Sequence, residues 1–110
     1  MRIRKSMDVM GHMEEDEILL IAKVSDALSH PARITLFRYI MQANKNFKPV
    51  CNKDLVENFD YAQATISQHM NKLIYAGLVE TKKENKFTYY YANLGLLQQY
   101  SNAAKKFAIV

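Results

Sequence analysis

The chain has one cysteine, Cys51, so no internal disulfide can form, and a lone thiol fits a reducing compartment such as the cytoplasm. Three glycines and two prolines leave no material for a Gly-rich phosphate loop or a turn-rich β-sandwich, and they favour helices. The longest uncharged apolar run, Ile18 to Ala22, falls far short of the roughly 20 residues that span a bilayer, so no membrane partner is expected. The start, Met1 to Asp8, is basic but has no apolar stretch behind it and does not read as a secretory signal. A nucleophile, base and acid set is also missing. One Cys, three His and no paired carboxylates in a cleft-forming pattern speak against an enzyme, and no cofactor is implied.

What is present is 110 residues, 49% hydrophobic and 24% charged, the size and composition of one globular domain. The net charge of +4 is unevenly divided. Residues 1–30 carry four Lys and Arg against six Asp and Glu, a balance of −2, whereas residues 31–110 carry eleven against five, a balance of +6. A basic surplus in the body of the domain points to a polyanion, nucleic acid before an anionic membrane, although solubility alone would also account for it.

Residues 1–13 hold four Met and mixed charges with no period and read as a flexible leader, with the folded domain over 14–110. From Glu14 to about Ser29, an acidic first turn followed by Ile18, Ile21, Val24, Ala27 and Leu28 predicts a first helix. Leu19, Leu20 and Ala22 widen its apolar surface, so it is expected to bury one face in its own subunit and one against a partner chain. A second helix starts at Pro31, capped by Ser29 or His30, and presents Ile34, Phe37, Ile40 and Met41. Residues 43–50 read as a loop ending in Lys48-Pro49. A short third helix begins near Cys51 or Asn52 and offers Leu55, Val56 and Phe59. Asp60 and Gln63 then form a loose capping box for a fourth helix over 61–76, with Ile66, Met70, Leu73 and Ile74 as its core stripe and Gly77 beyond its end. Two β-prone runs, 78–83 and 86–91, flank Glu84-Asn85 and predict a hairpin. Leu96, Leu97, Tyr100, Ala104 and Phe107 predict a fifth helix. The fold class is mainly α with a small β-hairpin, in the order α-α-α-α-β-β-α.

A short helix, a turn and a second amphipathic helix make a helix-turn-helix, and a Lys-bearing hairpin directly after it makes a wing. On helix four the side opposite the core stripe carries Gln63, Ala64, Ser67, Gln68, Asn71 and Tyr75, with Thr65 and Lys72 on the flanks, and residues 61–75 contain no carboxylate. Gln and Asn can pair with adenine edges, Ser and Thr adapt to several bases, and Ala64 can meet a thymine methyl, so this is an inventory for reading a major groove of double-stranded DNA. Lys72, with Lys82, Lys83 and Lys86 around the hairpin tip, offers ammonium groups to phosphates. His69 lies about 40° from Leu73 on the helical wheel, beside the buried stripe, where a partly packed side chain touching a phosphate is expected. The alternative is a winged-helix protein-interaction module, but such a module would expose Leu, Phe or Met where this face is polar and amide-rich.

These residues carry a resemblance. Ser29-His30-Pro31-Ala32-Arg33-Ile34-Thr35-Leu36, Ala62-Gln63-Ala64-Thr65-Ile66-Ser67-Gln68-His69-Met70-Asn71-Lys72-Leu73 and Ala76-Gly77-Leu78-Val79 resemble the ArsR/SmtB winged-helix repressors over about residues 16–107. The resemblance implies a homodimer held by the first and last helices and operator contacts from Gln63, Thr65, Ser67, Gln68 and His69. It departs at His30, where an Asp is usual before the proline, and at Ala62, where a Ser is usual. The family's metal sites do not carry over. Its Cys-x-Cys before Asp-Leu is here Cys51 and Lys53, and its Asp-x-His zinc pair with a later His and Glu is here Leu94-Gly95-Leu96 with Phe107 and Val110.

The expected reading is therefore a homodimeric, DNA-binding repressor in the cytoplasm with an inverted-repeat operator and an inducer the sequence does not name. Its dimer interface would use Leu20, Ile21, Val24, Leu97, Tyr100, Ala104 and Phe107, apolar residues in excess of one small core. Cys51, near a helix N-terminus and Lys53, would be a redox-sensitive thiol if it is exposed, and an inert small side chain if it is not.

Overall fold

The computed structural model describes residues 13–108; residues 1–12 of the expected leader, and 109–110, lie outside that range. Helix α1, Glu15–Ala27, opens with the Glu14 backbone N–H donating to Glu17 Oε1 at 3.1 Å, and Glu15, Asp16 and Glu17 set carboxylates against the positive end of the helix dipole. Its inner stripe is Val24 and Ala27, both buried, with Leu20 and Leu28 packed against the same core. Helix α2, Pro31–Lys45, begins with a proline that has no N–H to satisfy, while Nδ1 of His30 accepts the Ala32 N–H at 3.1 Å. Leu36, Phe37 and Ile40 are its buried residues, and Ile34, expected on that stripe, is 49% exposed.

Two differences follow α2. The helix continues through residues 43–45, read from sequence as loop, and stops only where Phe47 turns left-handed (φ 59°) and the Lys48 N–H closes onto the Ala43 carbonyl at 2.8 Å. Behind Pro49 lies a strand the sequence reading missed, β1, Val50–Cys51. Two residues cannot show an alternating period, and the pairing that makes them a strand comes from β3, far along the chain.

Helix α3, Asn52–Asn58, inserts Leu55 into the core. Helix α4, Gln63–Tyr75, buries Ile66, Met70 and Leu73 as expected, but Ala62 is its N-cap and Asp60 makes no capping bond. Extended Ala62 puts Asp60 two residues outside the capping position. Gly77 ends the helix at φ 83°, a backbone conformation that costs glycine nothing. Strands β2, Val79–Glu84, and β3, Phe87–Ala92, pair antiparallel from Val79 opposite Ala92 to Glu84 opposite Phe87, with the turn at Asn85-Lys86, one residue later than expected. Asn85 takes the left-handed φ of 56° that a tight hairpin requires. β1 adds to the outer side of β3, giving the order β1-β3-β2. Helix α5, Leu94–Ala104, starts two residues before Leu96 because Asn93 caps it, its Oδ1 accepting the Leu96 N–H at 3.1 Å. It gives way to a 3-10 turn, Lys105–Ala108, so Phe107 sits on that turn and not on the helix. The α5 end returns to α1, where Lys106 Nζ donates to Glu17 Oε1 at 2.7 Å. The order is thus α-α-β-α-α-β-β-α. Among the described residues no helix is long and apolar enough to cross a membrane.

Candidate nucleic-acid interface

α4 is held to the body of the domain by Ile66, Met70 and Leu73, so its opposite face has to look outward. Gln63, Ala64, Gln68, Asn71, Lys72 and Tyr75 are exposed there, and Thr65 and Ser67 are half-buried on its edges. Lys72, expected on a flank, is exposed, and Ser67, expected on the face, is half-buried. Tyr75, 77% exposed, closes the face at the C-terminal end, where Lys23 Nζ lies 5.2 Å from its ring centroid.

His69 is half-buried on the flank of α4, against the start of α2. Its ring centroid is 4.7 Å from that of His30, and its Nδ1 is 3.4 Å from an Arg33 guanidinium nitrogen. Arginine can only donate, so Nδ1 accepts and the ring proton sits on Nε2, free to donate elsewhere. Burial first, then the neighbouring charges of His30 and Arg33, push the imidazole below its ordinary pKa of 6.5 and keep it neutral at pH 7. Arg33 is the part of this cluster that sequence reasoning missed. Its Nε donates to the Ala27 carbonyl at 2.7 Å, and a terminal nitrogen reaches the Asp26 carbonyl at 3.3 Å and Ser29 Oγ at 3.4 Å. One side chain therefore caps the end of α1, belongs to α2 and touches α4. The contact bridges 36 positions of sequence, which no local pattern announces.

In the hairpin, residues alternate between faces, so Lys82 and Glu84 share one side and Lys83 points to the other. Lys82 Nζ lies 3.6 Å from Glu84 Oε1, an exposed pair that offsets part of its charge. Lys83 and Lys86 are exposed and have no acidic partner among the described residues.

The interface expected of the terminal helices needs correction. Val24 is fully buried in its own subunit's core and has no surface to offer a partner. Leu20, Leu97 and Tyr100 pack partly against the same core, while Ile21 and Ala104 are half-buried. The large apolar side chains left outside are Leu19 (64% exposed), Leu94 (61%) and Phe107 (71%). Leu94, Leu97, Tyr100 and Ala104 line a shallow groove of about 760 Å³ along α5. The exposure of Cys51, left open by the sequence, is low. The residue is 8% exposed, opposite Tyr89 in the sheet, with its backbone N–H donated to Asp54 Oδ2 at 2.9 Å. Among the described residues no three His, Cys, Asp or Glu side chains gather as a metal site would need.

The profile of the bacterial regulatory protein arsR family matches residues 31–81, the segment from α2 through α4 into β2. Over that segment the chain is similar to the arsR family. The HTH-type transcriptional regulator YbzH of Bacillus subtilis is 27% identical over 78 residues, covering 62% of this chain and 78% of that protein. ArsR2 of Halobacterium salinarum is 31% identical over 80 residues, 73% of this chain and 65% of its own length. The solved structure of an ArsR-like transcriptional regulator from Rhodococcus sp. RHA1 shares the fold, with a TM-score of 0.73 and 22% identity over 83% of this chain and 81% of that one. These likenesses support a DNA-binding transcriptional regulator, a class of protein that is not enzymatic, and the fold is a winged helix-turn-helix.

Proposed function

We propose that the protein is a homodimeric repressor that occupies an inverted-repeat operator, laying α4 in the major groove and the β2–β3 hairpin on the flanking backbone. The observation that carries this reading is the outer face of α4, which is amide-rich, carboxylate-free and exposed along its length. Gln63, Ala64, Thr65, Ser67, Gln68 and Asn71 read bases, His69 donates from Nε2 to a phosphate, and Lys72, Lys83 and Lys86 neutralise backbone charge. The second copy seats on the groove of α5 together with Leu19 and Phe107, apolar surface that a monomer would leave wet. Two-fold symmetry then places the half-sites about one or two helical turns apart.

The inducer in this reading is neither a soft metal nor zinc held at the family's usual positions. Cys51 offers one buried thiol where two or three exposed thiolates are needed, and Lys53 stands where the second would be. Footprinting identifies the operator, and binding to it is then measured for two kinds of variant. Gln68→Ala is expected to weaken specific binding by roughly 1–3 kcal/mol and to relax preference at one base position. The Lys83→Ala, Lys86→Ala pair is expected to weaken every sequence alike and to flatten the dependence on salt. A Gln68→Ala loss that is uniform over all sequences would remove α4 from base reading, and an unchanged salt slope would remove the wing.

A further inference from the structure

The second half of α2 faces the start of α5 across a cleft of about 500 Å³, within the range of small-molecule pockets. Its apolar wall is Met41, Ala92 and Leu94, and its rim carries Arg38 and Lys45, which lie seven residues apart and so on the same side of α2. Neither cation has a hydrogen bond or ion pair among the described residues. Two free positive charges beside an apolar wall complement an anion carried on a short apolar body.

We infer that this cleft binds a small apolar carboxylate, and that the complex tunes DNA affinity. The carboxylate lies between the Arg38 guanidinium and the Lys45 ammonium, and the apolar body covers Met41 and Ala92. The regulatory half of this inference rests on the DNA-binding reading above. Its route is the floor of the cleft, where Asn44 Oδ1 accepts the Ala92 N–H at 2.9 Å and so ties α2 to the wing strand β3. A ligand wedged against that joint acts on where the wing sits relative to α4.

The test uses the full chain with methyl-labelled Met and two probes of the same length, octanoate and octan-1-ol. Octanoate is expected to shift the Met41 methyl signal saturably while leaving that of Met70, buried in the core, in place. In the Arg38→Gln, Lys45→Gln variant its affinity should fall by about tenfold, the scale of one or two charge-assisted bonds at a partly exposed site. Octan-1-ol should bind wild type and variant equally weakly. Both side chains are exposed and unbonded, so an unmoved Met70 signal confirms that the variant folds. Equal affinities for the acid and the alcohol, or a Met41 signal that neither probe moves, would overturn the proposal; the latter is the result if a second copy of the chain covers the cleft. A variant that binds operator more weakly without any ligand, with a flatter salt slope, would assign the two cations to phosphates and also overturn it. Octanoate binding is read without DNA, so its failure is separate from any failure of operator binding.

Discussion

Replacing Arg33 by Ala tests whether one side chain joins three helices. The substitution removes a 2.7 Å bond from a charged donor to the carbonyl of buried Ala27, and two longer contacts, at 3.3 and 3.4 Å, to Asp26 and Ser29. A charge-assisted bond is worth about 1.5–3 kcal/mol net, and contacts beyond 3.2 Å add a few tenths each. Allowing for the partial exposure of the site, the expected loss is about 2 kcal/mol, read as a lower denaturation midpoint at unchanged slope. The same change moves a titration. Arg33 is one of the charges that hold His69 below 6.5, so removing it raises the His69 pKa towards that value. The sign for stability follows. With its pKa lowered in the folded state, His69 binds its proton less readily there than in the unfolded chain, so wild-type stability declines as pH falls through 6.5 and levels off below the depressed value. In Arg33→Ala that acid decline should be smaller, whereas Arg33→Lys should keep most of the charge effect and lose most of the bonds. Chemical denaturation across pH, with NMR titration of the His69 ring, reads both. A loss below about 0.5 kcal/mol together with an unmoved His69 titration would refute the clasp.

Three further outcomes are expected. Gly77→Ala should cost about 1–2 kcal/mol, because Ala is strained at φ 83° and its Cβ would meet Leu96 Cδ2 at 3.1 Å; a thermal melt that does not move would show that the turn relaxes freely. Leu19→Asp with Phe107→Asp should leave the fold intact by circular dichroism and shift the sedimenting species to monomer, and a double variant that stays dimeric would place the interface elsewhere. Asn44→Ala should leave the Ala92 N–H without its partner, speeding hydrogen exchange at that amide and lowering stability by about 1–3 kcal/mol, while an exchange rate equal to wild type would disprove the tie between α2 and the wing.

Where a single element decides its own structure, the sequence was readable. Ile66, Met70 and Leu73 recur at helical spacing, and with Gly77 they placed α4 and thereby which of its side chains face out. Exposure of Gln63, Ala64, Gln68 and Asn71 follows from the buried stripe and needed no tertiary information, whereas the half-burial of Ser67 depended on it. Failures fell where two elements decide together. The apolar positions of α1 cover more than one stripe, and only its packing shows that Val24 and Ala27 face the core while Leu19 faces out. β1 exists through Tyr89 and Tyr90, and the same pairing buries Cys51, whose exposure the sequence left open.

α2 explains why these long-range contacts matter for reading DNA. Near its first turn Arg33 meets His69 of α4, and near its last turn Asn44 holds the backbone of β3. At 1.5 Å per residue those two anchor points are roughly 16 Å apart along a rigid helix. α4 and the hairpin are therefore fixed to opposite ends of one rod, and in the proposed complex its length would help set the distance between major-groove and backbone contacts. A perturbation at either end can displace one DNA-binding element relative to the other without touching a residue that meets DNA. His69 neutralisation acts at the first anchor, where a second positive charge would face Arg33 if the ring were protonated. The cleft beside Asn44 acts at the second, so pH and ligand would work on different joints, and their effects on operator affinity should combine additively.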